Sequence, residues 1–331
     1  MERSNVYALI CAVVVLASLV LPAGTRGAEF PDNPISVVVG FEPGGPFDLT
    51  TRAMAPAVAS YLGQPVVVEN KGGSGGAVAL SYISTVKPDG YKLCSAPDDA
   101  IVQTALMQKV PFKPLRSFTP IIGFGASIHT AVIVKSDAPW KSFKELVEYA
   151  RENPGKVKYA TPGIGTGMHI AMEVVAVKAG IKWVHVPYKG IALARTAVLG
   201  GHIDACSSSI DWVPHVQSGA FRVLATQGRI RSPYFPDVPT FKELGYDFAN
   251  YAVYSIFGPE GMPPRVVEKL EAAFAKAMET EEFKKVRDRL YLSPVSLGSK
   301  EYPAHLKEKW VETEKIFKEV GLIKEPATQP Y

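Results

Sequence analysis

The sequence has few cysteines and lacks the motifs on which metal-dependent, redox and nucleotide-dependent enzymes rely. Its 331 residues include three cysteines, and no Cys-x-x-Cys, His-Glu-x-x-His or Walker loop occurs. Four possible metal ligands stand close together, at a spacing that fits no standard site: His202, Asp204, Cys206 and His215. The loop Gly163–Met168 fails the dinucleotide fingerprint because a methionine replaces its third glycine. We therefore expect neither a metal nor a cofactor.

An excess of charge of one sign is also lacking. Lysine and arginine together number 36, aspartate and glutamate 32, so the net charge is only +4, and no long basic run occurs. A nucleic-acid-binding surface needs a concentrated positive patch, so we expect no nucleic-acid partner. The lysines are expected to lie on solvated helix faces.

Apolar runs long enough to cross a bilayer are missing beyond the N-terminus. At the N-terminus, Tyr7–Leu21 is nearly all apolar, and Pro22–Ala28 is rich in small and helix-breaking residues, as is typical of a secretory signal peptide. We expect residues 1–28 to direct export to the periplasm, with cleavage after Ala23 as an alternative. An uncleaved anchor is a further alternative, although about fifteen apolar residues are short for a span.

Two cysteines, Cys94 and Cys206, remain after the signal peptide. Both lie near the ends of predicted strands. An exported protein meets an oxidising compartment, and a bridge between the two is conceivable. We expect two buried free thiols instead.

The most informative stretch that is present runs from Ile35 to Arg52. A β-branched run, Ile35–Val39, predicts a strand buried on both faces. Gly44 and Gly45 then allow a tight turn, and Asp48 is predicted to be the N-cap of a helix. A strand that leads directly to a helix N-terminus favours an anion, because backbone N–H groups there lack partners. An ordinary strand-to-helix turn is the alternative.

A second turn of similar chemistry follows more than a hundred residues later. Val157–Ala160 is strand-like, Thr161–Gly167 is a glycine-rich loop with hydroxyl side chains, and Met168–Lys178 has the pattern of a helix. The two turns are therefore expected to face each other across a cleft.

Strand and helix signals alternate along the whole chain, which predicts an α/β fold of mostly parallel sheets flanked by helices. Two long extended segments, Phe118–Lys135 and Phe248–Gly258, are interpreted as crossings between two lobes. The first lobe would then be discontinuous, with residues 29–127 and 251–331, and the second would hold residues 128–250. The cleft between them would be a hinged binding site.

One stretch matches an enzyme motif. Gly72–Gly76 satisfies the Gly-x-Ser-x-Gly pattern of a hydrolase nucleophile, with Ser74 at its centre. A triad would also need His169 or His215. Because any glycine-rich loop meets this pattern easily, we expect no enzyme, and a serine hydrolase stays the minor alternative.

The order of short motifs resembles the Bug family of extracytoplasmic solute receptors, the substrate-binding proteins of tripartite tricarboxylate transporters. The resemblance covers nearly all of the chain after the signal peptide. The matching stretches are Phe30-Pro-Asp-Asn-Pro-Ile35, Phe41-Glu-Pro-Gly-Gly-Pro-Phe-Asp48, Leu62–Asn70, Lys87–Tyr91, Phe118–Ile121, Asn153–Lys156, Gly163–His169, Val184–Gly190, Leu199–Asp204, Phe235–Thr240 and Pro259–Gly261.

The resemblance implies a two-lobed Venus-flytrap fold of the periplasmic binding proteins, with a small organic acid between the lobes. It implies that Glu42–Asp48 and Thr161–His169 hold a carboxylate, largely through backbone N–H groups and ordered waters. The implied partners are the membrane subunits of a cognate transporter, and the protein is expected to be a monomer. A ligand sensor or adaptor on the same fold stays an alternative. The candidate ligand-binding residues are Phe41, Glu42, Gly44, Gly45, Phe47, Asp48, Ser95, Asp98, Thr161, Gly163, Gly165, Thr166, His169, Tyr188, Ser207 and Ser208.

Some positions depart from the family pattern and bear on specificity. Glu42 places an acid beside the expected carboxylate, which is unfavourable unless it points away or meets a polar ligand group. Asp98 and Asp99 replace small or hydroxyl residues and are expected in an exposed turn. Ser207–Ser209 would either hydrogen-bond the far end of a ligand or begin the next helix. Tyr251 and Tyr254 would either stack on a ligand ring or pack in the wall.

Overall fold

The computed structural model describes residues 30–323 and 330–331. Asn33–Tyr331 forms one compact unit, which contains every helix and strand named below. The predicted signal peptide, residues 1–28, lies outside the described residues. No helix in the described part of the chain is both long and apolar enough to span a membrane.

The described strands belong to two sheets. In chain order they are β1 (Ile35–Val39), β2 (Val66–Asn70), β3 (Lys92–Pro97), β4 (Phe118–Ser127), β5 (Ala131–Lys135), β6 (Lys158–Thr161), β7 (Val184–Pro187), β8 (Ala205–Ser208), β9 (Phe221–Thr226), β10 (Ala252–Pro259) and β11 (Leu297–Gly298).

Helices cover the faces of both sheets. The described helices are α1 (Pro46–Leu62), α2 (Ala77–Ile83), α3 (Asp98–Met107), α4 (Phe143–Glu152), α5 (Gly167–Ala179), α6 (Ile191–Leu199), α7 (Val213–Gln217), α8 (Pro264–Met278), α9 (Glu281–Arg289) and α10 (Tyr302–Glu319). Short 3₁₀ turns occupy Ser74–Gly76 and Ile210–Trp212.

Both sheets are mixed. The first has the strand order β11-β4-β10-β3-β1-β2, in which β1 is parallel to β2 and β3, whereas β10 is antiparallel to β3 and β4. The second has the order β7-β6-β8-β5-β9, in which β6 is parallel to its two neighbours and β5 antiparallel to both of its own. The expected α/β architecture is confirmed. The sheets contain more antiparallel strand pairs than expected. A strand that the chain reaches directly from the other sheet needs no helical crossover, so it can pair antiparallel with its neighbours.

The chain passes between the sheets twice. Phe118–Lys135 is not one strand: it breaks after Ser127, and β4 and β5 belong to different sheets. The return passage leads from β9 to β10. We call the regions around the two sheets the first and second lobes, with boundaries proposed after residues 127 and 250.

The strand β1 shows why these elements form. Val37, Val38 and Val39 are fully buried, as expected for a β-branched strand in the middle of a sheet. The carboxyl end of β1 leads into α1, and that of β6 into α5. Since ligands of α/β proteins bind beyond the carboxyl ends of the strands, these connections place the site.

Candidate functional site

A cavity of about 300 Å³ lies between the lobes. On the first lobe it is lined by the loop after β1, the end of β3, and β10; on the second, it is lined by the first turns of α5 and α6 and by Asn250. Five of the predicted site residues line it: Phe41, Glu42, Gly45, Phe47 and Thr166. The other predicted site residues do not line it.

The N-terminus of α1 opens onto the cavity. Gly45 is the N-cap, Pro46 is the first helical residue, and no side chain caps the helix. Leu49 N–H donates to Gly45 O at 3.0 Å, so the N–H groups of the two preceding residues have no intrahelical acceptor. With Gly45 and Phe47 at the cavity wall, this helix end presents unpaired donors and the positive end of its dipole.

The prediction that Asp48 is the N-cap is wrong. Asp48 lies in the first turn of α1 and is buried. Its carboxylate accepts hydrogen bonds from Gly44 N–H at 2.9 Å, Arg52 Nε at 2.8 Å and Asn70 Nδ2 at 2.9 Å. Asp48 therefore holds the loop in shape and does not line the cavity, and the chain enters the helix at Gly45 because a glycine N-cap followed by proline suits that position.

A second uncapped helix end was missed by sequence reasoning. Gly190 is the N-cap of α6, again without a side-chain cap, and the first residues of the helix, Ile191, Ala192 and Leu193, line the cavity. Ala194 N–H donates to Gly190 O at 3.4 Å, which leaves the earlier N–H groups without intrahelical acceptors. The signal was available, since a strand, β7, ends just before a glycine that opens an apolar helix.

The loop before α5 is held mainly by its own residues. The N-cap Thr166 accepts a hydrogen bond from His169 N–H at 3.3 Å and donates one to Gly163 O at 2.9 Å. Gly165 N–H donates to His169 Nδ1 at 3.2 Å, and Thr161 Oγ1 contacts both Gly163 N and O. Of this predicted set, Thr166 alone lines the cavity, and the rest shape the loop.

Glycines of this loop also meet the first lobe. A β-carbon on Gly163, which has φ +149°, would lie 2.5 Å from Gly75 N. One on Gly165, with φ +76°, would lie 2.6 Å from Thr104 Cα. The two lobes therefore approach so closely here that side chains at these two positions would keep them apart.

The predicted exposed turn at Asp98 and Asp99 is wrong. Both carboxylates are buried in the first turn of α3 and share Lys309 of α10, at 2.7 Å and 2.6 Å respectively. Asp98 also contacts His305 Nε2 at 2.7 Å and accepts a hydrogen bond from Val253 N–H at 3.0 Å, so it faces α10 and β10. Asp99 lines the cavity.

Burial and the shared lysine act in opposite directions on the pKa values of these two carboxylates. Burial raises the pKa of Asp99 to about 6, with Asp98 adding to the effect and Lys309 opposing it. Burial would also raise the pKa of Asp98, but Lys309 and His305 hold it below its usual value. The pKa of Lys309 is raised despite burial, because it faces both carboxylates.

Four further predicted residues lie outside the cavity lining. Ser95 Oγ accepts a hydrogen bond from Thr51 Oγ1 at 2.8 Å. Ser207 Oγ donates to Met168 O at 2.9 Å, and Ser208 Oγ donates to Ser209 O at 3.2 Å. Tyr188 is half-buried and donates its N–H to Thr161 O at 3.0 Å. They support the walls of the cleft.

Aromatic rings form one wall of the cavity. Phe47 stacks between Tyr254, at 3.7 Å between ring centroids, and Phe41, at 5.0 Å. Glu42 and Asp99 are the charged residues among the described cavity-lining positions, and no lysine or arginine lines it. An anion bound here would therefore meet backbone donors rather than basic side chains.

The hydrolase motif has a structural role. Ser74 is exposed and lies in the 3₁₀ turn next to Gly75. Its own φ angle is +46°. The imidazole of His169 accepts a hydrogen bond from the backbone and stacks on His185 at 4.0 Å. The turn at Gly72–Gly76 is one of the parts of the first lobe that meet the second.

Two α/β lobes with a ligand-sized cavity between them, and helix N-termini at the cavity wall, are typical of the periplasmic binding proteins. Residues 50–322 match the family described as tripartite tricarboxylate transporter family receptor, TctC. The chain belongs to this family, and the predicted resemblance to the Bug receptors is confirmed.

Two relatives show how far the similarity extends. The chain is 34% identical over 327 residues to the UPF0065 protein in the gbd 5' region of Cupriavidus necator, covering 98% of this chain and 99% of that protein. Its fold is similar to that of the periplasmic binding protein BugD, with a TM-score of 0.82 and 29% identity over 89% of this chain and 100% of BugD.

A third relative was solved with a ligand. MatC from Rhodopseudomonas palustris, with bound malate, has a TM-score of 0.80 and 25% identity, covering 87% of this chain and 99% of MatC.

Proposed function

We propose that this protein is a periplasmic receptor that captures a small organic carboxylate in the interlobe cavity and delivers it to the membrane subunits of a tripartite transporter. Residues 1–28 would direct its export, and it would act as a monomer without chemistry of its own. The observation that carries the proposal is the pair of uncapped N-termini, α1 and α6, at a cavity whose described lining residues include no lysine or arginine.

Helix ends of this kind suit reversible capture. Each contributes about 0.3–1 kcal/mol toward an exposed anion, and up to about 2 kcal/mol when partly buried. Two such ends, with their free N–H groups, favour a carboxylate. They bind it with lower affinity than a buried pair of arginines would. A carrier that must release its cargo benefits from such an intermediate affinity.

Five of the predicted residues are proposed to contact the ligand directly: Phe41, Glu42, Gly45, Phe47 and Thr166. The other predicted residues are proposed to hold the two loops in shape. The malate bound to the similar MatC supports a carboxylate ligand for this chain. The close contacts of Gly163 and Gly165 with the first lobe support closure of the lobes over the ligand.

A thermal-shift screen tests this function. Mono-, di- and tricarboxylates are compared with neutral sugars and with cationic solutes of similar size. We expect at least one acid to raise the melting temperature in proportion to the logarithm of its concentration. A response to neutral or cationic solutes alone would contradict the proposal. Native mass spectrometry of protein purified from its host would identify a co-purified acid.

A further inference from the structure

One end of the cavity is rich in hydrogen-bond acceptors. Asp99, Asn250 and Ser127 line it and are 2%, 1% and 3% exposed. Asn250 Oδ1 and Ser127 Oγ have no hydrogen-bond partner among the described residues, whereas Asn250 Nδ2 donates to Thr130 Oγ1 at 3.1 Å. Polar groups this deeply buried are normally paired, so this end of the cavity is built to receive a donor.

Two of these acceptors stand side by side. A β-carbon on Gly167 would overlap Asn250 Oδ1 and would lie 2.6 Å from Asp99 Oδ2. Gly167 thus leaves room for both oxygens at the start of α5. Both oxygens are hydrogen-bond acceptors, so a donor placed between them would be favoured, and a cationic donor most of all.

Among the described residues, Asp99 has no cationic partner of its own. Asp98 and Asp99 share one ammonium group, Lys309 Nζ, which also donates to Tyr251 O. Asp98 also contacts His305, whereas Asp99 has Lys309 as its one ion-pair partner among the described residues. Burying a charge without compensation is costly, so the site favours uptake of one positive charge.

Among the described residues, the groups that face this pair from neighbouring elements include no second lysine or arginine. α10 contributes His305, Lys309 and Tyr302, β10 contributes Tyr254, the segment before it contributes Tyr251, and α5 contributes the backbone N–H of Gly167. Across the cavity, Glu42 is a further acid. The His305 ring contacts Asp98 Oδ2 at 2.7 Å.

We propose that the ligand carries a protonated amine in addition to its carboxylate, and that Asp99 receives this amine together with Asn250 and Ser127. This inference rests on the proposed function, since the carboxylate is held by the helix N-termini. The ligand is then a zwitterionic amino acid, and its ammonium group pairs with the Asp99 carboxylate at the cavity wall.

The pH dependence of binding has a definite sign. Because burial raises the pKa of Asp99 to about 6, the carboxyl holds a proton in part of the molecules near that pH. An ammonium group displaces this proton, so affinity should fall about tenfold from pH 7 to pH 5. If Asp99 instead donated its proton to a ligand oxygen, affinity would rise over the same range.

Calorimetry with matched ligand pairs tests the inference. Each amine is compared with the acid that lacks it: aspartate with succinate, 4-aminobutyrate with butyrate, and phenylalanine with 3-phenylpropionate. We expect at least one amine to bind ten or more times tighter than its partner at pH 7. In Asp99→Asn this preference should disappear, whereas Asp137→Asn, which removes an exposed carboxylate from the second lobe, should keep it.

The outcomes separate the two proposals. Equal or tighter binding of the amine-free acids overturns the inference and leaves the carboxylate receptor standing. Binding of no acid at all overturns the proposed function as well. If Asp99→Asn does not fold, proton release decides: wild-type titrations at pH 6 in cacodylate and in bis-Tris, two buffers of different ionisation enthalpy, should differ in heat because a proton leaves on binding. Equal heats after correction for the ligand's own ionisation would overturn the inference.

Discussion

Gly165 of the second lobe lies against Thr104 of the first, so close that a β-carbon on the glycine would stand 2.6 Å from the threonine Cα. Gly165 belongs to the loop before α5, and Thr104 belongs to α3, which begins at the cavity. The contact joins backbone to backbone, so no side-chain rotation can relieve an added atom. The closed arrangement of the lobes therefore depends on a glycine at this position.

Gly165→Ala should impair closure. The added methyl group forces the lobes apart, and ligand affinity should fall about tenfold or more in calorimetry because the closed form becomes rarer. Gly155→Ala is a matched control, since Gly155 has the same φ of +76° but no atom within 4 Å of an added β-carbon. Both variants bear similar left-handed backbone strain, about 1–2 kcal/mol.

The control should lose stability but keep its affinity. If the two alanine variants bind the ligand equally well, the contact between Gly165 and Thr104 does not limit closure. If Gly165→Ala alone lost its folded structure, circular dichroism would show it before any binding is measured.

The buried ion pair of the second lobe should be worth far more to stability than a surface pair. Arg195 Nη1 lies 2.6 Å from Asp211 Oδ2, and both side chains are about 10% exposed. Arg195→Met leaves the Asp211 carboxylate buried and uncompensated, which should lower the free energy of unfolding by about 3–5 kcal/mol in urea titrations. Adding Asp211→Leu should restore most of the loss.

A surface pair gives the comparison. Lys135 and Asp137 lie 2.8 Å apart and are exposed. Lys135→Met should leave the urea midpoint almost unchanged. If Lys135→Met and Arg195→Met lost similar free energies of unfolding, the role given to burial would be contradicted. The same holds if the double variant, Arg195→Met with Asp211→Leu, were as unstable as Arg195→Met alone.

His185 should make the protein less stable in acid. Burial lowers the pKa of His185 to about 4, whereas an unfolded chain has a value near 6.5, so the unfolded state binds more protons between these values. The stabilisation is complete above pH 6.5, falls as the pH drops, and is gone below about pH 4. It amounts to at most about 3 kcal/mol.

Urea titrations at pH 7 and pH 4.5 measure this effect. Replacing His185 with glutamine removes its titration, so the variant should lose less stability than the wild type on acidification. The other titrating groups, Asp99 among them, are common to both proteins and cancel in the comparison. Equal losses in the two proteins would contradict the assignment to His185.

Cys94 and Cys206 should remain reduced and unreactive in the folded protein. Both are fully buried and free, one in β3 and the other in β8. Burial raises the pKa of Cys206 to about 12 and that of Cys94 well above its usual value, so little thiolate forms at neutral pH. A thiol reagent should label neither cysteine until denaturant is added, as intact-mass measurement would show. Rapid labelling of the native protein would contradict this expectation. So would a disulfide between the two cysteines, seen as a failure of the denatured protein to be labelled.

Local features of the site could be predicted from sequence. The strand Ile35–Val39, the turn at Gly44 and Gly45, and the helix after Gly165 all follow from short-range patterns, and the structure shows each of them. Ser142 caps α4 in the same local way, with Glu145 N–H donating to it at 3.2 Å. These elements depend on a few neighbouring residues and on backbone sterics.

Features that depend on distant residues could not be predicted. Asp98 and Asp99 have the composition of an exposed turn, and only Lys309, more than two hundred residues later, makes their burial tolerable. Asp48 has the chemistry of an N-cap, but Asn70 and Arg52 draw its carboxylate toward the loop. The local pattern around Gly190 indicates a helix start, but the place of that start at the cavity depends on how α6 lies across the cleft, which a local pattern does not encode.

A crystal structure of the protein with the acid found by thermal shift or native mass spectrometry tests the central claim most directly. The account predicts that carboxylate oxygens lie about 2.7–3.2 Å from backbone nitrogens within residues 45–48 and 190–193, inside the interlobe cavity. A carboxylate held chiefly by arginine or lysine side chains, or bound away from both helix ends, would contradict it.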